Sequence, residues 1–251
     1  MATFFLLFFL IIIVSSLQIH AANELSIQTL TDWGSKPGFI ENARLVVQPH
    51  GGYVEQSLYL EYSDHGGYKG HDSLEIVHRF ELPEGSVVND LWLWVGDSIM
   101  QAVMMETWTA RAIYDSIVSQ RRDPAFLAKE GNQYELHVFP LKSGSFRKIK
   151  LNFIAPTKWQ GERATASLPF RLLDADNSKE KPVKVLFKTP KDNWGWPCML
   201  EAEEYAFQDL IDAYGFRYKK CDIPDISKYS SLNRLERTLT MELVNCWKNG
   251  K

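Results

Sequence analysis

The sequence has little excess charge and few cysteines, and both shortages exclude classes of protein. Its 28 Lys and Arg face 31 Asp and Glu, a net charge of −3 over 251 residues, so it lacks the cationic excess of a nucleic-acid binder. No two of Cys198, Cys221 and Cys246 lie at the close spacing of a zinc site. Three cysteines are compatible either with one disulfide and one free thiol or with three buried thiols.

The motifs of common hydrolases and nucleotide-binding proteins are also missing. The chain has no Gly-x-Ser-x-Gly, no His-Glu-x-x-His and no glycine-rich phosphate loop after a strand. Asp64, His65, His71 and Asp72 are metal-ligating residue types, but they stand in a glycine-rich segment that a solvated loop explains better. We therefore expect no catalytic residue, no cofactor and no metal.

Only one long hydrophobic run is present, FFLLFFLIIIV at residues 4–14. It is short for a membrane-spanning helix, which needs about 20 apolar residues. Small residues follow it, so residues 1–22 are predicted to be a signal peptide cleaved after Ala21 or Ala22. An uncleaved anchor is the alternative. We expect an exported protein, secreted or located in the periplasm or cell envelope.

What the sequence has in quantity is the residue content of a sheet. Aromatic residues make up 13% of the chain, and aromatic and β-branched side chains favour strands. Period-two alternation or apolar runs predict strands over these segments: 53–62, 74–82, 87–95, 99–105, 134–141, 146–154, 163–172, 182–188 and 236–246.

One long amphipathic helix is predicted among these strands, over residues 107–122. Its apolar positions follow helical spacing: Ala110, Ile113, Tyr114, Ile117 and Val118. Thr107 or Thr109 is the predicted N-cap. A second, short helix is predicted over 201–214. The fold class is therefore mainly β (α+β), with antiparallel strands and one helix that covers a sheet face or edge.

The block from Phe80 to Pro156 carries motifs in a defined order. A strand ending in FELPEG is followed by VVNDLWLWVGD, IMQAVMMETW, the helix TARAIYDSIVSQRRDP and the strand YELHVFPL. This order resembles the VIT domain, the vault protein inter-alpha-trypsin module, and in particular its bacterial exported forms. The resemblance implies a β-sandwich-like module with one prominent helix that is not known as a catalyst.

The resemblance also suggests a division of the chain. We expect a lead-in at 23–41, the VIT domain at 42–157, and a β-rich C-terminal extension at 158–251 that is either separate or part of the same sandwich. In the family, a von Willebrand A domain with an Asp-x-Ser-x-Ser metal motif often follows. The nearest segment, at 225–229, lacks the final serine, so metal-dependent adhesion is not carried over. The chain is then a stand-alone VIT protein or a fragment of a longer one.

Two cationic groups are the candidate partner-binding residues. Arg121, Arg122 and Asp123 close the predicted helix, and Lys148 and Lys150 alternate with apolar residues on one strand. Arginine forks suit planar anions, so an acidic protein or a polysaccharide is the expected partner. The competing explanation for residues 121–123 is helix capping together with an Arg–Asp pair. The competing explanation for Lys148 and Lys150 is a solvated strand face.

The remaining candidates are aromatic rings and histidines. Trp92 and Trp94 share one strand face; we interpret them as core residues beneath the helix, with a sugar-stacking platform as the alternative. His78 is interpreted as a core histidine, and His137 as a residue with a cross-strand or surface role. The predicted function is a non-enzymatic exported protein-interaction module that docks a partner protein or a neighbouring domain through sheet edges and the helix region 107–122. The alternatives are a carbohydrate-binding module and a hydrolase with an unrecognised site near His65 and His71.

Overall fold

The computed structural model describes residues 23–30, 34–50, 52–160, 163–188, 196–198, 208–211, 217–226 and 240–244. The predicted signal peptide and Cys246 lie outside these residues. Within the described residues, no helix is both long and apolar enough to cross a membrane.

The described chain forms seventeen strands, one α-helix and one 3₁₀ helix. The strands are β1 (Glu24–Thr29), β2 (Ser35–Pro37), β3 (Phe39–Pro49), β4 (Tyr53–Ser63), β5 (Leu74–Glu81), β6 (Val87–Val95), β7 (Ser98–Gln101), β8 (Ala125–Glu130), β9 (Gln133–Leu141), β10 (Phe146–Pro156), β11 (Lys158–Gln160), β12 (Arg163–Ser167), β13 (Val183–Lys188), β14 (Trp196–Cys198), β15 (Gln208–Ile211), β16 (Arg217–Ile223) and β17 (Thr240–Val244). Helix α1 spans Thr107–Ser119, and the 3₁₀ helix spans Phe170–Ala175.

The strands form three sheets. The first sheet has the order β2-β1-β5-β9-β8, the second β15-β16-β13-β3-β4-β10-β6-β7, and the third β11-β12-β17-β14. The pairing is antiparallel except between β13 and β3, which run parallel. The predicted fold class, a mainly β sandwich with one prominent helix, is confirmed.

The core lies between the first two sheets, and period-two alternation explains which residues enter it. Along β10, Ile149, Leu151 and Phe153 are fully buried, whereas the residues between them face away from the core. Further fully buried side chains come from the neighbouring strand β4 and from β5 and β9 of the first sheet: Leu58, Leu60, Ile76, Phe80, Leu136 and Val138. Removing these apolar surfaces from water is the main term that stabilises the sandwich.

One histidine joins three parts of this core. His78 on β5 is fully buried; its Nδ1 lies 2.8 Å from the Tyr62 hydroxyl on β4, and its Nε2 lies 3.1 Å from the Leu172 carbonyl. Because a carbonyl only accepts, Nε2 carries the proton and Nδ1 accepts from Tyr62. Burial lowers the pKa of His78 from 6.5 to about 4. The core-histidine interpretation is confirmed.

The segments after residue 163 contribute to the same core. The 3₁₀ helix buries Phe170, Leu172 and Leu173, and β13 buries Val185 and Phe187 within the same cluster as the central strands. Strand β15 occupies 208–211, so the helix predicted over 201–214 is wrong there. Paired positions in a sheet edge overrode the local helical spacing. Cys221 on β16 is buried as a free thiol.

Helix α1 covers the outer face of the first sheet. Its N-cap is Glu106, without a side-chain cap, so the prediction of Thr107 or Thr109 is wrong. Tyr114 and Val118 pack against Phe126 and Phe139. The buried stripe is narrower than predicted, because Ile113 on the same predicted face is 44% exposed.

Candidate interaction surfaces

The end of helix α1 holds three of the predicted partner-binding residues. Arg121 adopts φ +55°, its N–H donates to Val118, and the N–H of Arg122 donates to Ile117. This is the Schellman pattern that terminates helices. Asp123 forms its ion pair with Arg147 of β10 rather than with either neighbouring arginine. Arg121 and Arg122 are exposed.

Because Arg121 occupies the left-handed region, Arg121→Gly is expected to stabilise the protein by about 0.5 kcal/mol: glycine removes a cost of about 1–2 kcal/mol and adds about 0.4–1 kcal/mol of unfolded-state entropy. Arg122→Gly is the matched control, since it relieves no left-handed strain, and we expect it to be neutral or destabilising. Urea denaturation of both variants measures the difference. A lower midpoint for Arg121→Gly than for Arg122→Gly would contradict this account.

Lys150 belongs to a row of side chains that crosses the second sheet on its outer face. The strand register places Lys184, Arg44, Tyr59, Lys150 and Trp92 side by side, and we call these five residues the outer-face row. The Arg44 guanidinium carbon lies 4.2 Å from the centroid of the Tyr59 ring. The Lys150 ammonium lies 4.1 Å from the Trp92 centroid and 5.8 Å from the Tyr59 centroid. Cations and rings therefore interleave along the row.

A second pair lies beside this row. The Lys148 ammonium is 5.2 Å from the centroid of the Trp94 ring and 3.8 Å from a carboxylate oxygen of Glu61. The Trp92 and Trp94 centroids are 6.1 Å apart. The interpretation of Trp92 and Trp94 as core residues beneath the helix is wrong. Both tryptophans are half-buried on the outer face of the sheet, while Leu91 and Leu93 enter the core.

The predicted site residues thus fall in two places. Lys148 and Lys150 lie over the tryptophans on the outer face, whereas Asp123 is tied to Arg147, whose position along β10 alternates with the lysines. Sequence reasoning missed Arg44 and Tyr59 as members of the row. The signal available for Arg44 was period-two alternation along β3, which places Ala43, Leu45 and Val47 on the buried face and Arg44 and Val46 on the other face.

An apolar surface lies at one edge of the second sheet. Strand β7 forms that edge and pairs only with β6 among the described strands. Large apolar side chains continue from it to the start of helix α1: Ile99, Met100, Val103, Met104, Met105 and Trp108, exposed by 49%, 49%, 76%, 81%, 42% and 72%. We call these six residues the apolar edge surface. Ile99 and Met100 lie on opposite faces of β7 and flank its edge. Exposed apolar residues that cluster in this way mark interaction sites.

The main cluster of titratable groups is closed off beneath helix α1. One oxygen of Glu75 accepts from the Tyr114 hydroxyl at 2.6 Å and from His137 Nδ1 at 3.0 Å, and the other accepts from Gln28 at 2.7 Å. His137 Nε2 lies 2.6 Å from Glu135. Burial lowers the pKa of His137, but the two carboxylates outweigh burial and raise it. The predicted cross-strand role is right, but the surface role is wrong, because His137 is 8% exposed.

The loop after β4 is organised by one carboxylate. Asp64 is 3% exposed and accepts hydrogen bonds from the backbone N–H groups of Gly66, Tyr68 and Gly144 and from the Ser143 hydroxyl. His65 lies instead against Glu41, 2.7 Å from its carboxylate. In the described part of the chain, no group of three His, Cys, Asp or Glu residues could hold a metal ion.

The central block of this mainly β sandwich matches one family model. Residues 53–153 match the family model of the vault protein inter-alpha-trypsin (VIT) domain, as the motif order predicted. VIT domains are a family of protein-interaction modules. No curated protein matches the chain in sequence.

Several solved structures are similar in shape. A putative nutrient binding protein from Legionella pneumophila is 8% identical, with TM-score 0.44, over 89% of this chain and 72% of that one. Leukotriene A4 hydrolase from Saccharomyces cerevisiae is 7% identical, with TM-score 0.44, over 83% of this chain and 29% of that one. Aminopeptidase A from Legionella pneumophila is 10% identical, with TM-score 0.45, over 88% of this chain and 23% of that one. At such identities neither binding nor activity transfers to this chain.

Proposed function

We propose that this chain is a non-enzymatic protein-interaction module that binds a partner protein through the apolar edge surface. The observation that carries the proposal is the exposure of Val103, Met104 and Trp108, each more than 70% exposed. Large apolar side chains on a folded surface are stabilised when a partner removes them from water. The VIT family of residues 53–153 supports an interaction role.

The position of this surface suggests how a partner binds. Strand β7 presents one unpaired edge within the described sheet, and an extended segment of a partner can add to such an edge through backbone hydrogen bonds. Met104, Met105 and Trp108 then supply apolar contacts beside the added strand. Methionine suits this role because its flexible thioether adapts to the partner surface.

The titratable clusters of the described residues do not favour catalysis. Glu75 and His137 are buried beneath helix α1 and bonded to each other. Asp64, which stands in the segment of the predicted hydrolase alternative, accepts four hydrogen bonds from its own and the neighbouring loop. A nucleophile and its base must be accessible to substrate, so a binding role accounts better for these residues.

Met104→Glu is expected to abolish capture of the partner from an extract of the source organism by the tagged chain. Met104 is 81% exposed, so the substitution leaves folding within about 0.5 kcal/mol while placing a charge in the apolar contact. Ile211→Glu is the matched control, because Ile211 is 64% exposed on β15, at the opposite edge of the same sheet. Equal capture by both variants, or loss of capture in both, would refute this docking site.

Export is a further part of the proposal. The hydrophobic run at residues 4–14 and the small residues after it support a cleaved signal peptide. N-terminal sequencing of the protein recovered from the medium or the cell envelope tests it; a protein that begins at residue 22 or 23 would support export.

A further inference from the structure

The outer-face row is a second surface with a different chemistry; it meets the apolar edge surface at β7, where Ile99 is the register partner of Trp94. It combines three cations, Lys184, Arg44 and Lys150, with two rings, Tyr59 and Trp92, across five neighbouring strands. Strands lie about 4.8 Å apart, so the row spans about 19 Å. We propose that this row binds an anionic polysaccharide, a chain of sugar rings that carry carboxylates.

Two of the three cations of the row carry charge that no ion pair neutralises among the described residues; the third, Lys184, has Asp222 as its register partner on β16. Lys148 in the adjacent pair contacts Glu61, but Arg44 and Lys150 contact aromatic rings and form no ion pair with the described residues. A cation over a ring is held by the electrostatics of the π face and keeps its N–H groups. Those donors remain available to an anionic ligand, and the rings fix where the charges stand.

The orientation of the terminal ring is also fixed. The indole N–H of Trp92 and the side-chain amide of Gln101 both donate to the Asp90 carboxylate. Asp90 therefore holds Trp92 in place through two uncharged donors, and its own negative charge remains at this end of the row. A ring held in this way offers a rigid platform, and aromatic platforms lose little conformational entropy when they bind a flat ligand.

The backbone of these strands favours a sugar ligand over an acidic peptide. Strands β3, β4, β10 and β6 are paired on both sides, so their N–H and C=O groups are used within the sheet. Peptides are recognised at free sheet edges, in grooves or in backbone nests, and the exposed face of an interior strand offers none of these. Acidic peptide motifs are also bound by clusters of arginines, but the row contains a single arginine, Arg44. Side chains alone must bind the ligand, through rings for the sugar faces and cations for the carboxylates.

Titration of the full chain with polygalacturonate, followed by tryptophan fluorescence and calorimetry, tests this site. We expect binding that weakens as salt is raised. Lys150→Gln and Trp92→Leu should each lower the affinity at least tenfold, and Arg44→Gln provides an independent variant if either fails to fold. Lys142→Gln, an exposed lysine in the β9–β10 turn, is the control and should bind as the parent does.

Three results would overturn the proposal. Failure of the parent chain to bind polygalacturonate excludes the site. An affinity for neutral dextran equal to that for polygalacturonate would show that the cations do not contribute to binding. An affinity for poly-L-glutamate equal to that for polygalacturonate would show that the site does not prefer a sugar ligand. Met104→Glu should bind polygalacturonate unchanged, so failure of this site and failure of the apolar edge surface are distinguishable.

Discussion

Asp64→Ala is expected to destabilise the protein by about 3–4 kcal/mol, because a buried carboxylate that accepts several hydrogen bonds leaves its donors unsatisfied when it is removed. Its two oxygens accept from Gly66, Tyr68, Ser143 and Gly144 over 2.6–3.1 Å. The carboxylate therefore joins the loop after β4 to the β9–β10 turn. Burial raises the pKa of Asp64, but these hydrogen bonds outweigh burial and lower it.

The matched control is Asp72→Ala in the same segment. Asp72 is exposed and contacts only the neighbouring Ser73 in the described hydrogen bonds, so its removal should cost less than about 0.5 kcal/mol. Urea unfolding of both variants at neutral pH gives the comparison. A difference below about 1 kcal/mol between them would show that the turn does not depend on the Asp64 carboxylate, contrary to the hydrogen-bond count.

The second large effect is loss of stability in acid through His78. Its folded-state pKa is about 4 against an ordinary 6.5, so the unfolded chain takes up a proton first. The contribution of His78 is present above pH 6.5 and is lost as the pH falls toward 4. At about 1.4 kcal/mol per unit of pKa, this amounts to about 3 kcal/mol.

His137 titrates in the opposite sense, since its pKa is raised in the folded protein and its contribution is lost as the pH rises above 6.5. The contribution of His78 to the pH dependence of stability is therefore best separated from that of His137 by a His78 variant. We expect His78→Gln to be less stable than the parent at pH 7.5 and to approach or exceed it near pH 4.5. A constant difference for His78→Gln would contradict the mechanism.

Much of the sandwich could be predicted from alternation alone. Strand β6 occupies the predicted residues 87–95, and the hairpin of β9 and β10 is found within a few residues of its predicted limits. Period-two burial is a local property of an extended chain, so the sequence records it directly. The order of the strands in the sheets is set by long-range pairing, which local patterns do not contain.

The surfaces were harder to predict for the same reason. Trp92 and Trp94 alternate with leucines on β6, but only the register with β10 shows that lysines lie over them on the outer face. The sequence likewise predicted a strand to residue 105, whereas β7 ends at Gln101 and leaves Val103 and Met104 exposed. Whether an apolar run is covered depends on neighbours distant in the chain.

The parallel pairing of β13 with β3 bears on synthesis of the chain. Residues Ala43–Val47 of β3 pair with β4 on one side and with Val183–Phe187 of β13 on the other. The ring of His78 is hydrogen-bonded to the carbonyl of Leu172. Both β13 and Leu172 come late in the chain. Because a chain leaves the ribosome from its N-terminus, the family-matched segment 53–153 emerges before these partners exist. During that interval strand β3 has an open edge and His78 lacks its carbonyl acceptor.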